Sequence, residues 1–445
     1  MSGTFMEGLL ATIADRGRAL LDLDRGERAA DRDLVHLAEA LLSGQGEASG
    51  VALSRELLSA YEALNEEAKL AFLALLVERF GPEPARLDAA IAAYRESPTD
   101  SAALELHAAA EPRRQELIRR LNLAPGGTSA LVAMRAFLLS QLRAQPHLKP
   151  LDSDFHHLLS SWFNRGFLVM RRIDWNTPAA VLEKIIRYEA VHAIDDWDGL
   201  RRRLDPPDRR CYGFFHPALI DEPLIFVEVA LTKGMPGAIA PIIAAERKPL
   251  APGEADTAVF YSISNCQAGL RGVSFGNFLI KQVVEELHRD FPHLKSFVTL
   301  SPVPGFMRWL REEAETPEAL DADERAVLEG LDQAGWQDAG ARAEALGRQV
   351  LPLAARYFLE ARARGKPVDP VARFHLGNGA RLERINWLGD LSDKGLSQAA
   401  GLMVNYLYAI PDIEVNHEAY AMRHEVVAAP AVTKLLNARS SRKRQ

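Results

Sequence analysis

Three short stretches of this 445-residue chain carry residue types and spacings that could do chemistry. The first is "TLSPVPGF", residues 299–306. Ser301 leaves a short apolar run and is followed by Pro302 and Pro304, which fix two φ angles and leave the serine little freedom to lose. It reads either as the cap of a helix starting near Pro304 or as a hydroxyl shown at the carboxyl end of a strand, where ligands of open α/β sheets gather. The second is "RFHLGNG", where His375 has an apolar neighbour and a tight turn ahead; it is either a structural histidine or a general acid or base. The third is "QAGLRGVSFGNFLIKQVVEEL", residues 267–287. Gly269, Gly272 and Gly276 precede an amphipathic helix, so the backbone can approach a ligand and its N–H groups favour an anion such as pyrophosphate. Arg271 adds bidentate capacity. The spacing is neither the Walker loop, which ends in Gly-Lys-Ser/Thr, nor the Gly-x-Gly-x-x-Gly dinucleotide fingerprint.

Other classes of chemistry find little support. No His-Glu-x-x-His, paired Cys or Asp-rich loop suggests a metal, and His417 and His424, two helical turns apart, read as solvated or packed. Cys211 and Cys266 read as reduced thiols. A net charge of −7 argues against nucleic acid, though a local basic pocket would still take a small anion. No run of about 18 apolar residues predicts a membrane span. The amino terminus has no basic start followed by an apolar stretch, and the expected compartment is the cytoplasm.

The elements that must position these residues fall into two parts. Residues 1–150 hold 6 of the 33 aromatics and none of the six Trp. They are rich in Ala, Leu, Glu and Arg, with Leu57, Leu58, Tyr61 and Leu64 at helical spacing, which predicts an all-α antiparallel bundle. Its one-sided apolar helices need covering, which predicts self-association. From 151 onward strands alternate with helices, predicting an α/β domain over 151–445. Strands are expected at 167–173, 210–216, 223–232, 258–264 and 296–300, and helices at 177–192, capped by Thr177, and 274–292. A helical insertion is expected at 316–366. Residues 373–387 read as strand, turn and strand, with Gly377-Asn378-Gly379 turning.

Arg271-x-x-Ser274-x-Gly276, between a strand and a helix, resembles the Arg/Gln-x-x-Gly-x-Gly/Ala motif of the GNAT acyltransferase superfamily, with Ser274 where glycine is usual. A wider set of blocks is similar to the malonyl-CoA decarboxylase family: "YEAVHAIDDWDGLRRRL", "RRCYGFFH", "GLRGVSFGNFLIKQVVEELHRDFPHL", "LSPVPGF", "FHLGNGARLERINWLGD" and "GLMVNYLYA", spanning about residues 165 to 410. The resemblance implies a GNAT-like acyl-CoA-binding domain after the helical bundle. It implies Gln267, Gly269, Arg271, Gly272, Ser274 and Gly276 at the coenzyme A pyrophosphate, and Ser301, His375 and Tyr408 at the reacting end, with Asn386 and Asn405 as further polar candidates. It also implies a homo-oligomer, dimer or tetramer. The family's peroxisomal ending Ser-Lys-Leu is replaced here by Arg-Lys-Arg-Gln.

The chemistry so implied suits these residue types. Loss of CO₂ from a malonyl thioester leaves a carbanion that the thioester itself delocalises as an enolate, so no cofactor is expected beyond the coenzyme A thioester that is the substrate. The protein must hold the carboxylate out of plane, stabilise the enolate oxygen and protonate the carbon. Backbone N–H groups beside 258–264 are expected at that oxygen; a preorganised donor there is worth about 3–4 kcal/mol. Ser301 is expected to orient the carboxylate and His375 to deliver the proton, with the exchanged roles and coupling through water as the alternatives. An acyl-CoA-dependent N-acyltransferase and a non-catalytic acyl-CoA sensor are the competing readings.

Overall fold

A computed structural model describes residues 34–43, 46–273, 275, 279–316 and 319–442. Ser274 and Gly276, expected at the pyrophosphate, lie outside the described residues. The chain divides into two compact units.

The first unit takes the chain up to Val169 together with Phe215–Leu224 and Gln267–Phe275. It contains α1 (Leu34–Leu42), α2 (Glu47–Ala63), α3 (Glu66–Arg79), α4 (Pro84–Glu96), α5 (Asp100–Ala110), α6 (Arg113–Leu121), α7 (Gly127–Gln141) and α8 (Lys149–Trp162). Local chemistry sets their starts: Asn65 accepts the Ala68 N–H ahead of α3, Thr99 accepts that of Ala102 ahead of α5, and Pro84 opens α4. Leu57, Leu73, Phe80, Leu117, Leu131, Leu138, Phe155 and Leu159 form the buried stripes. The glycine-bearing turn packs on this unit. Gly269 meets the backbone of α7 so closely that a Cβ there would lie 1.9 Å from Val132 O. The buried Arg135 donates to Gly269 O at 2.8 Å and pairs with Asp152 at 2.9 Å.

The second unit is a mixed sheet with helices. Its strands are β1 (Val169–Ile173), β2 (Arg209–Phe215), β3 (Pro223–Thr232), β4 (Thr257–Asn265), β5 (Ser296–Thr299), β6 (Ser301–Pro302), β7 (Arg362–Ala363), β8 (Lys366–Pro367), β9 (Arg381–Asn386) and β10 (Met403–Leu407). The sheet runs β1-β2-β3-β4-β5-β10-β6, with β9 along the other edge of β10; β7 and β8 form a separate hairpin. β4 and β5 are parallel, from Thr257↔Ser296 to Phe260↔Thr299. β4 then runs five residues further, to Asn265, while the chain of β5 continues into β6. The helices are α9 (Ala179–Tyr188), α10 (Trp197–Leu204), α11 (Ala240–Ile243), α12 (Leu279–Asp290), α13 (Phe306–Glu315), α14 (Ala322–Leu331), α15 (Ala341–Leu359), α16 (Pro370–Gly377), α17 (Asp393–Ala399), α18 (Ile413–Arg423) and α19 (Pro430–Arg442).

Three local expectations are corrected. Residues 373–376, expected as a strand before a turn at Gly377, belong to the helix α16: Asp369 accepts the Ala372 N–H at 2.7 Å, Pro370 fits the first turn, and the helix stops at Gly377 with Asn378 as its C-cap. Gly379 follows at φ +84°. Thr177 does not cap α9; its hydroxyl takes the Asp174 N–H, and Pro178 holds the cap position. The insertion at 316–366 holds not only α14 and α15 but also the strands β7 and β8.

Gly269→Ala is expected to destabilise the first unit by at least about 1–3 kcal/mol, the usual cost of overpacking. Thermal unfolding checks it; a midpoint equal to that of the parent would show the approach to Val132 to be dispensable.

Candidate active site

Ser301, His375 and Tyr408 come together inside the second unit, all at least 95% buried. Ser301 Oγ lies 3.1 Å from His375 Nε2, and His375 Nδ1 lies 2.9 Å from the Tyr408 hydroxyl. Three elements supply them: β6 the serine, α16 the imidazole, and the residue after β10 the phenol. The backbone holds each in register. Ser301 pairs with Val404, and the Tyr408 N–H donates to Phe297 O at 2.8 Å. The cap by Asp369 fixes the start of α16, and Asp369 is itself held by the Tyr357 hydroxyl at 3.0 Å. Ser301 caps no helix, because α13 starts later with Gly305 at its N-cap.

The proton roles follow from counting. Ser301 donates to Thr299 Oγ1 at 2.9 Å, so toward His375 its single-proton hydroxyl accepts. Nε2 therefore carries the imidazole proton, and Nδ1 accepts from Tyr408. Full burial lowers the His375 pKa from 6.5 to about 3, so the resting ring is neutral. Burial also pushes the Tyr408 phenol well above its ordinary value, keeping it protonated. The imidazole stacks on Tyr406, centroids 4.6 Å apart and planes inclined by 25°.

Thr299 and Tyr406 were missed in the sequence, although Thr299 lies inside the quoted serine stretch. The usable signal was the strand period of two, which places Thr299 and Ser301 on one face. Thr299 Oγ1 also accepts the Tyr406 N–H at 3.1 Å. Asn405, one of the further polar candidates, proves to be a support: it donates to Thr299 O at 2.7 Å and to Pro236 O at 3.1 Å, and accepts from Asn386 at 2.8 Å.

Of the residues expected at the pyrophosphate, Gln267, Gly269, Arg271 and Gly272 fall in the first unit. Gln267 donates to Glu222 and to Pro223 O, Gly269 is buried against Val132, Gly272 has φ +83° and its carbonyl lies 3.2 Å from His156 Nε2, and Arg271 is exposed. Among the described residues no helix is long and apolar enough to cross a membrane.

A helical unit followed by a mixed α/β sheet, with a buried hydroxyl–imidazole–phenol chain on that sheet, marks the protein as an enzyme of the carboxy-lyase class once its relatives are set beside it. Residues 166–445 match the malonyl-CoA decarboxylase C-terminal domain and residues 80–163 the N-terminal domain. The chain belongs to the malonyl-CoA decarboxylase family. It is 35% identical over 420 residues to the mitochondrial malonyl-CoA decarboxylase of Rattus norvegicus, covering 86% of this chain and 84% of the relative. The corresponding protein of Anser anser anser is 38% identical over 348 residues, covering 72% and 69%. The crystal structure of malonyl-CoA decarboxylase from Rhodopseudomonas palustris superposes with a TM-score of 0.88 at 62% identity, covering 90% of this chain and 98% of that one. The one from Agrobacterium vitis gives 0.86 at 58%, covering 91% and 100%.

The buried neutral imidazole has a measurable consequence. Its folded pKa, about 3, lies below the unfolded value of 6.5, so between these pH values the unfolded chain binds the proton more readily. The contribution of His375 to stability is complete above about pH 6.5 and is lost as pH falls toward 3. In His375→Asn the pH dependence of unfolding in that window is expected to flatten by up to about 1.4 kcal/mol per pH unit. An unaltered slope would mean the ring is charged or solvated.

Proposed function

We propose that the protein decarboxylates malonyl-CoA to acetyl-CoA and CO₂, with Ser301 orienting the malonyl carboxylate and His375 delivering the proton. The observation that carries this reading is the 3.1 Å pair of Ser301 Oγ and His375 Nε2, with the imidazole buried and neutral. At rest the serine proton is directed to Thr299. A carboxylate placed beside Ser301 draws that proton away from Thr299 and accepts it as a hydrogen bond. The same negative charge favours the imidazolium form of His375, which burial alone disfavours, so substrate and one solvent proton enter together. When the C–C bond breaks, its electron pair stays with the thioester as an enolate and CO₂ leaves. The proton on His375 then forms the new C–H bond. Charge is cancelled, and the imidazole returns to the neutral state its pocket prefers. The thioester serves as the electron sink throughout, so the proposal calls for no metal or prosthetic group. Within the first unit, the turn at Gln267–Phe275 keeps its reading as a pyrophosphate cradle, with Arg271 as its charged member. Self-association and a cytoplasmic location belong to the same proposal.

His375→Asn is expected to lower kcat by about 10²–10⁴-fold while leaving KM for malonyl-CoA nearly unchanged. Steady-state release of CO₂ checks it, and an unchanged kcat would remove His375 from the chemistry. Ser301→Ala is expected to lose turnover while retaining coenzyme A affinity by calorimetry; loss of that affinity instead would make the serine structural. Incubation with malonyl-CoA and no amine separates the N-acyltransferase reading, which predicts no acetyl-CoA.

A further inference from the structure

The face of β4 turned away from Tyr408 carries a buried carboxylate that the chemistry above does not use. Glu189 follows α9, is 9% exposed, and gathers hydrogen bonds from two places. Its Oε1 accepts the N–H groups of Val191 and His192, each at 2.8 Å. Across the gap to β4, the Ser262 hydroxyl reaches both carboxylate oxygens, at 2.8 and 2.7 Å, and Ser264 reaches Oε2 at 3.3 Å. Ser264 in turn accepts the Ala190 N–H at 3.3 Å.

The place of this clamp along β4 is informative. The β3–β4 register shifts between Glu228, which faces Ser262, and Val229, which faces Phe260. Tyr261 is the extra residue of a β-bulge. Val259 and Tyr261 pack with Val298 and Leu300 on one face, while the Phe260 ring meets Tyr408 on the other. In a regular strand Ser262 would share the face of Phe260. The bulge instead turns both Tyr261 and Ser262 to the first face, and only there does Ser262 meet Glu189. The bulge falls where the parallel ladder with β5 ends, at Phe260↔Thr299. Just beyond that point, Ser301 is two residues from Thr299. β4 also touches β6, the strand that carries Ser301, so the stretch of β4 that Glu189 holds lies beside the place proposed for the thioester.

We propose that Glu189 is a positioning residue for the decarboxylation: by accepting from Ser262 and Ser264 it locks β4 in its bulged register and so sets where the thioester lies relative to Ser301. The inference depends on the roles given above to Ser301 and His375. A carboxylate is suited to this task because every one of its hydrogen-bond positions accepts, and its four contacting residues, Val191, His192, Ser262 and Ser264, all offer protons. An amide at 189 would turn two donors toward those donors. A one-residue slip of β4 would exchange the faces of its side chains.

The test compares Glu189→Gln and the double variant Ser262→Ala, Ser264→Ala with the parent, well below their unfolding midpoints. Both are expected to lose about 10- to 100-fold in kcat, with KM for malonyl-CoA and affinity for coenzyme A within twofold, the pattern of a misplaced reacting group. A kcat within twofold of the parent, whatever the change in stability, would overturn the proposal and leave the clamp purely structural. A fall in coenzyme A affinity that accounts for the whole loss would also overturn it. Adding Glu189→Gln to Ser301→Ala is expected to cost less than twofold more, because the position Glu189 sets has then lost its purpose. A full additive loss would overturn the link to Ser301. Should Ser301→Ala alone retain turnover, the failure is that of the catalytic reading and not of the clamp.

Discussion

The site depends on one constraint: an imidazole that is wholly removed from water must have both ring nitrogens satisfied and no charge to carry. His375 meets both terms by accepting from a phenol and donating to a serine. Much of the second unit can be understood from that requirement. β10 has to be central, because its neighbours bring Ser301 on one edge and its end brings Tyr408. α16 has to start where Asp369 and Pro370 start it, or the ring would point elsewhere. Asn405 has to tie β10 to Thr299, because Thr299 holds the serine proton at rest.

How legible this was varied with the kind of signal. Ser301 was readable, since two prolines and a preceding apolar run announce a constrained residue at a strand end. His375 was readable as a residue but not as a helical one. Asp369 and Pro370 are ordinary helix-opening residues, yet "VARFHL" mixes β-branched and aromatic residues with helix formers, and the glycines after it imitate a hairpin turn. The strands β3 and β4 were nearly correct at both ends, because each is a run of apolar residues long enough to be told from its neighbours.

Partners far apart in sequence were not legible. Tyr408 was placed by likeness alone, since nothing near it tells of a histidine 33 residues earlier. Glu189 lies in "YEAVH", where a lone acid reads as a helix-end charge. Only the fold brings it to two serines more than 70 residues away. Gly269 was read as a residue that lets the backbone approach a ligand. The approach the structure shows is that of α7, a packing reason for glycine that the sequence did not announce.

The stack of His375 on Tyr406 adds a property of a different kind. Turning the imidazole over would put Cδ2 where Nδ1 meets Tyr408 and Cε1 where Nε2 meets Ser301, so both hydrogen bonds favour a single orientation. A ring lying flat on an aromatic plane, in an interior packed as densely as a crystal, has no room to turn. Its two nitrogens are then permanently distinct. The line from Tyr408 through His375 to Ser301 thereby has a fixed sense, Nδ1 facing the phenol and Nε2 the serine.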